Sequence, residues 1–221
     1  LLQSMKLRLA SAVNLLDPLG IASFTGVVVD AQGVTIGAMT THAQVAASAE
    51  VRQAIPALAA LAGGIGDTQV RNMGTIGGSV ANADPAADYP AALLGLGATV
   101  HTHKRRIAAD GFFKGLYETA LESGELITAV QFPRAARAAY VKFKQPASRF
   151  ALVGVFVSQG AGGVRVAVTG AKAAAYRDAA LEAALARSFT PEAAQAVKVS
   201  ADGMNADLHA SAEYRAAMVS V

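Results

Sequence analysis

The chain has 221 residues, room for one large or two small domains, and its 53% hydrophobic content is ample for a buried core. It contains no cysteine, which excludes disulfides, iron–sulfur ligation and thiolate zinc sites within these residues. The net charge of +3, with basic residues scattered apart from Lys104-Arg105-Arg106, argues against nucleic acid, and no apolar run reaches the roughly 18 to 20 residues of a membrane span. The default expectation is a cytoplasmic protein.

From the N-terminus, Val27-Val28-Val29 and Val34-Thr35-Ile36 flank a Gly-containing turn and predict a β-hairpin. Thr41 is placed to cap a helix whose apolar positions, Val45, Val51, Ile55, Leu58 and Leu61, recur at helical spacing until Gly63-Gly64, with Pro56 dividing it in two. A further helix is predicted from Asp84 as N-cap, with Pro85 in its first turn and Leu93, Leu94 and Leu96 along one side. Thr99 to His103 and Arg105 to Ala108 read as a strand pair, followed by a short Phe112-Phe113 segment.

The composition shifts near Ser123-Gly124. Glu125 to Phe132, Ala139 to Lys144, Phe150 to Ser158 and Val164 to Thr169 read as successive strands of one antiparallel sheet, and Ala174 to Ala186, Pro191 to Val199 and Ser211 to Val219 as helices covering it. The expectation is an α+β chain of two lobes, residues 1–122 and 123–221.

Chemistry concentrates in Gly74-Thr75-Ile76-Gly77-Gly78-Ser79 and the Asp84-Pro85-Ala86-Ala87-Asp88 that follows. Gly77 and Gly78 permit positive φ and bare main-chain amides, a pattern that cradles phosphate; the plain alternative is a tight turn between strand and helix. Arg71 reads either as a cation for that phosphate or as a partner of Asp67. His101 and His103 share a strand face without a third ligand, which favours strand-edge polar residues over metal. Gly64-Ile65-Gly66 lacks the third glycine of a dinucleotide fingerprint, and no phosphate-binding Walker sequence or nucleophile elbow occurs.

Between Gly63 and Asp88 the sequence resembles the second flavin motif of the FAD-binding (medium) subunits of molybdenum hydroxylases, the family of aerobic carbon monoxide dehydrogenase and the xanthine and aldehyde oxidoreductases. The family pattern stands here as Gln69-Val70-Arg71-Asn72, Gly74 to Ser79 and Asp84 to Asp88, and the likeness extends through Thr40-Thr41-His42, Gly124 to Ile127 and Lys142 to Gln145. It implies the two-lobed flavoprotein fold of that family, ending in a small antiparallel sheet with covering helices. It further implies that amides of Thr75, Ile76, Gly77, Gly78 and Ser79 hold the FAD pyrophosphate, and that Asp88 bonds a hydroxyl on the ribityl or isoalloxazine side. Ser79 replaces the commoner Asn with a shorter donor. By the same resemblance Ile65 lies near the adenine or flavin, Ile127 and Lys142 touch the flavin ring system, and Phe150 packs beside it; for Ile65 and Phe150 core packing is the competing reading, and for Lys142 a solvated strand position.

The resemblance implies an FAD-carrying electron-transfer oxidoreductase subunit. Molybdopterin would lie on a large subunit and [2Fe-2S] clusters on a small one, assembled as a dimer of heterotrimers. The competing readings are a self-sufficient flavin-dependent alcohol or aldehyde oxidase of related fold, and a scaffold subunit that has lost FAD. Leu1 to Leu7 match the stretch just after the family's first flavin motif, an Ala-Gly-Gly-type turn. Either an upstream segment carries the other half of the phosphate site or the molecule keeps only half of it, and these residues alone are expected to hold FAD weakly or not at all.

Overall fold

The computed structural model describes residues 5–9, 11, 14–15 and 17–221; Leu1 to Ser4 of the N-terminal match lie outside them. The hairpin forms as predicted, β1 (Val27–Asp30) against β2 (Gly33–Gly37). The helical region that follows divides into three pieces: α1 (His42–Ala47), α2 (Ala49–Ala54) and α3 (Pro56–Gly63). Thr41 makes a full capping box with Gln44 at the first, while Ser48 ends α1 and accepts from Val51 N to start α2. That serine break is additional to the one at Pro56, because a capping hydroxyl competes with helix continuation.

Next come α4 (Thr68–Met73), α5 (Ile76–Asn82) and α6 (Tyr89–Leu96). The helix expected from Asp84 is thus two helices. Ala83 at φ 47° ends α5, and Asp84 Oδ1 accepts from Ala86 N to close a turn, so Pro90 rather than Pro85 occupies the first turn of α6. Every residue of α6 is buried, not one side alone.

Strands β3 (Thr99–Thr102) and β4 (Arg106–Ala108) form the expected pair, and Phe113–Gly115 (β5) with Glu118–Thr119 (β6) makes a small separate hairpin. Strand β7 (Ile127–Phe132) departs from expectation. It joins no second sheet but runs down the middle of the first, in the order β1-β2-β7-β3-β4. Val34, Ile36, Val100, Val130 and Phe132, fully buried, occupy alternate positions on these strands, the period-two signature of one covered face.

The second sheet holds β8 (Arg137–Lys144), β9 (Ala151–Gly160), β10 (Gly163–Thr169) and β11 (Tyr176–Arg177) in the order β11-β10-β9-β8. Its outer face is covered by α7 (Ala179–Arg187) and α9 (Ala212–Val219), and α8 (Pro191–Gln195) packs beside α7. Its inner face packs on α6, where a Cβ at Gly95 would come within 2.6 Å of the Phe156 ring. That sandwiching explains why α6 is buried all round, and it joins the cores of the two sheets through Phe156 and Ala167.

Candidate cofactor site

Thr75 is the N-cap of α5, its Oγ1 accepting from Gly78 N at 3.2 Å, so the glycines lie inside a helix rather than in a loop before it. Neither Gly77 nor Gly78 has a positive φ. The expected row of free amides is also reduced. Ile76 N donates to Thr40 O (3.1 Å), Gly77 N to Ala38 O (2.8 Å) and Ser79 N to Thr75 O (3.0 Å).

What the glycines supply is space, in two directions. A Cβ on Gly77 would meet Ala38 Cβ at 2.5 Å and Ala38 O at 2.8 Å, so this residue seats α5 against the chain leaving β2. A Cβ on Gly78 would meet only Thr75 Oγ1 at 3.0 Å and otherwise open space. The cavity there, of about 260 Å³, is lined by Phe24, Met39, Gly77, Gly78, Leu126 and Ile127 among others. Two glycines in a seven-residue helix forgo about 1 kcal/mol each of helix propensity, which the close approach of Ala38 explains at Gly77 but no protein neighbour explains at Gly78.

Ile127 therefore belongs with the glycines. A different cleft, of about 220 Å³, brings together Ile65, Asp84, Asp88 and Phe150. Phe150 is half-buried and meets His209 edge to face at 5.7 Å, so it is a cleft wall rather than core.

Asp88 is 5% exposed, and its carboxylate is already engaged. Tyr140 OH donates to Oδ1 at 2.5 Å, and Lys142 Nζ lies 3.0 Å from Oδ1 and 3.2 Å from Oδ2 while also donating to Gly64 O at 2.9 Å. Burial raises the Asp88 carboxyl above its ordinary value, against the opposing pull of Lys142 and Tyr140. Burial and the Asp88 charge push the Tyr140 phenol well up, which keeps it a donor. Lys142 is thus a buried ion-pair partner and not a solvated strand lysine. Tyr140 escaped the sequence reading although period-two alternation sets it on the same face of β8 as Lys142; which face turned inward was the missing fact.

Arg71 turns to its own backbone rather than to Asp67. Its Nη1 donates to Ile65 O and Gly66 O, both at 3.1 Å, and Nη2 to Thr68 Oγ1 at 3.2 Å. Glu125, at the edge of the glycine-lined cavity, accepts from Arg105 Nε and Nη2 (3.0 Å each), Thr102 Oγ1 (2.7 Å) and Glu122 N (2.8 Å). The Arg105 hydrogen bond is the largest cause holding its carboxyl down at about 2. His101 Nε2 pairs with Gln131 Oε1 (3.2 Å), and His103 Nδ1 accepts from Leu126 N (3.1 Å).

Residues 1–135 match the model of the FAD binding domain in molybdopterin dehydrogenase. The carbon monoxide dehydrogenase medium chain of Hydrogenophaga pseudoflava is 35% identical over 241 residues, covering 99% of this chain and 82% of that one. The nicotine 6-hydroxylase medium subunit of Paenarthrobacter nicotinovorans is 34% identical, also over 99% of this chain and 82% of its own. Among solved structures, the H. pseudoflava carbon monoxide dehydrogenase lacking the Mo-pyranopterin moiety superposes with a TM-score of 0.88 at 36% identity, over 99% of this chain and 82% of that chain. Quinoline 2-oxidoreductase from Pseudomonas putida 86 gives 0.87 at 26% identity with the same coverages.

This chain belongs to the FAD-binding medium subunits of the molybdenum hydroxylases. It is an oxidoreductase subunit of α+β fold whose cofactor is FAD. Among the described residues no helix is long and apolar enough to cross a membrane.

Proposed function

We propose that this chain carries FAD as the electron-transfer subunit of a heteromeric molybdenum hydroxylase, receiving electrons from iron–sulfur clusters on a small partner and passing them to a final acceptor. FAD supplies the redox chemistry when bound; the chain's own residues bind it, orient it and keep water from its reactive face. The observation that carries the reading is the open side of Gly78, the one place on α5 where the missing side chain faces space instead of protein. A pyrophosphate resting there is offered the Thr75 hydroxyl, whose oxygen already takes the Gly78 amide, and the Ser79 hydroxyl. The flavin then belongs in the cleft of Ile65, Asp88 and Phe150, and the apolar cavity with Ile127 takes the adenosine end, a departure from the expectation that Ile127 touches the flavin ring.

The committed state of the titratable groups favours electron transfer over a self-sufficient oxidase. Asp88 is bonded to Tyr140 and Lys142, Asp84 to Ala86 N and Tyr117 OH, and Glu125 is clamped by Arg105. Among the described residues lining the two clefts, every carboxylate is so engaged, and an oxidase needs a base beside its flavin. Absence of thiolates in the chain also assigns the clusters to another subunit.

The test is purification of the natural full-length protein from its host, with flavin absorbance and mass spectrometry of whatever accompanies it. Stoichiometric FAD together with a cysteine-rich and a molybdopterin-binding partner is expected. A colourless protein, or a yellow one that purifies alone and oxidises an alcohol or aldehyde, overturns the reading. Within that assembly Gly78→Val should abolish FAD retention, since a branched side chain fills the open side.

A further inference from the structure

We infer that Arg71 is a positioning residue for the flavin end of the site, holding the chain of Gly64, Ile65 and Gly66 that walls the cleft, and is not a ligand of the cofactor's phosphates. The inference rests on the FAD reading above and assigns within it a residue that sequence left between two roles. Three consecutive carbonyls beyond the C-terminus of α3 are each met by a cation: Gly64 O by Lys142, Ile65 O and Gly66 O by Arg71.

These oxygens follow a helix end, where partial negative charge collects and cations bind favourably. The guanidinium suits the task because Nη1 meets two adjacent carbonyl oxygens at 3.1 Å each while Nη2, rigid in the same plane, reaches Thr68 Oγ1 and fixes its rotation. Gly66 makes the geometry possible. It sits at φ +48°, and a Cβ there would lie 3.0 Å from the Val70 side chain, on the same helix α4 that carries Arg71.

The consequence reaches the cleft by two routes. Ile65 is a wall residue, so its carbonyl clamp sets where that wall stands. Gly64 O is the second acceptor of Lys142, so a displaced loop also releases the lysine that neutralises Asp88. Three of the five N–H donors of Arg71 are committed to Ile65 O, Gly66 O and Thr68 Oγ1, which holds the side chain against its own segment.

Arg71→Lys keeps the charge and removes the fork, which separates the two roles. In the natural full-length protein, stripped of flavin and titrated with FAD and with ADP, the variant should bind FAD at least tenfold more weakly and ADP within twofold of wild type. Any FAD still bound should show an altered visible circular dichroism band. Gly66→Ala, which disturbs the same loop without touching the guanidinium, should give the same selective loss and guards against a variant that fails to fold. Equal losses for ADP and FAD in Arg71→Lys make it a phosphate ligand and overturn the inference, as does unchanged FAD affinity. A wild-type protein that binds neither nucleotide overturns the FAD reading itself.

Discussion

Lys142 on β8 lies 3.0 Å from the Asp88 carboxylate at the start of α6, across 54 residues of sequence, with side chains only 9% and 5% exposed. An ion pair this deep is a weak source of net stability, because desolvation offsets most of the attraction, but breaking it is costly. Lys142→Ala is therefore expected to lower unfolding stability by about 3 to 5 kcal/mol, read by urea denaturation. Combining Lys142→Met with Asp88→Asn should recover much of that loss. A single lysine variant as stable as wild type would show the pair to be solvated.

The adjacent glycines of α5 should respond in opposite ways. Alanine is about 1 kcal/mol better than glycine in a helix. At Gly78 that gain meets little opposition, so Gly78→Ala should leave the melting temperature unchanged or raised while weakening FAD. At Gly77 the new methyl runs into Ala38 backbone and Cβ, and overpacking of about 1 to 3 kcal/mol outweighs the propensity. Gly77→Ala should melt lower. Thermal melts of the two variants side by side decide it.

His42, 4% exposed beside Tyr89, has its pKa lowered by burial from 6.5 to about 4. The unfolded chain binds a proton at this histidine before the folded one does, so stability contributed by the neutral imidazole is present above pH 6.5 and is lost as pH falls toward 4. Full loss amounts to about 3 kcal/mol. Asp88, whose carboxyl is raised by burial, works in the other direction, so the measurement is a difference: stability of wild type against His42→Phe from pH 7 to 4. The gap in favour of the variant should widen with acid. A constant gap would contradict burial as the cause.

Phe150 stands at the cleft with His209 behind it, partly open to solvent. Removing a stacking ring should weaken flavin by about 0.5 to 1.5 kcal/mol beyond the area lost. Phe150→Ala is expected to lower FAD affinity several-fold while shifting the melting temperature little. A large drop in melting temperature with FAD affinity intact would make Phe150 a core residue after all.

Much of the fold was legible because local rules acted alone. The hairpin of β1 and β2, the Thr41 cap, the C-terminal helix α9 and the three long strands of the second sheet follow from spacing and caps. The flavin motif was legible through Gly74 to Asp88. The role of each glycine was not, since a bare Cα looks the same in sequence whether it faces open space, as Gly78 does, or a neighbouring segment, as Gly77 does.

By itself, then, the sequence determined the first hairpin, the capped helix at Thr41 and the long strands of the second sheet, that a glycine-rich motif precedes Asp88, and that no cysteine chemistry resides in the chain. Tertiary structure alone decided that β7 enters the first sheet, that Asp88 is neutralised by Lys142 and Tyr140, and that Arg71 serves its own loop. The physical reason is range. Caps and periodicity are written within a few residues, whereas sheet partnership, ion pairing and the direction a glycine faces depend on surfaces brought together from distant parts of the chain.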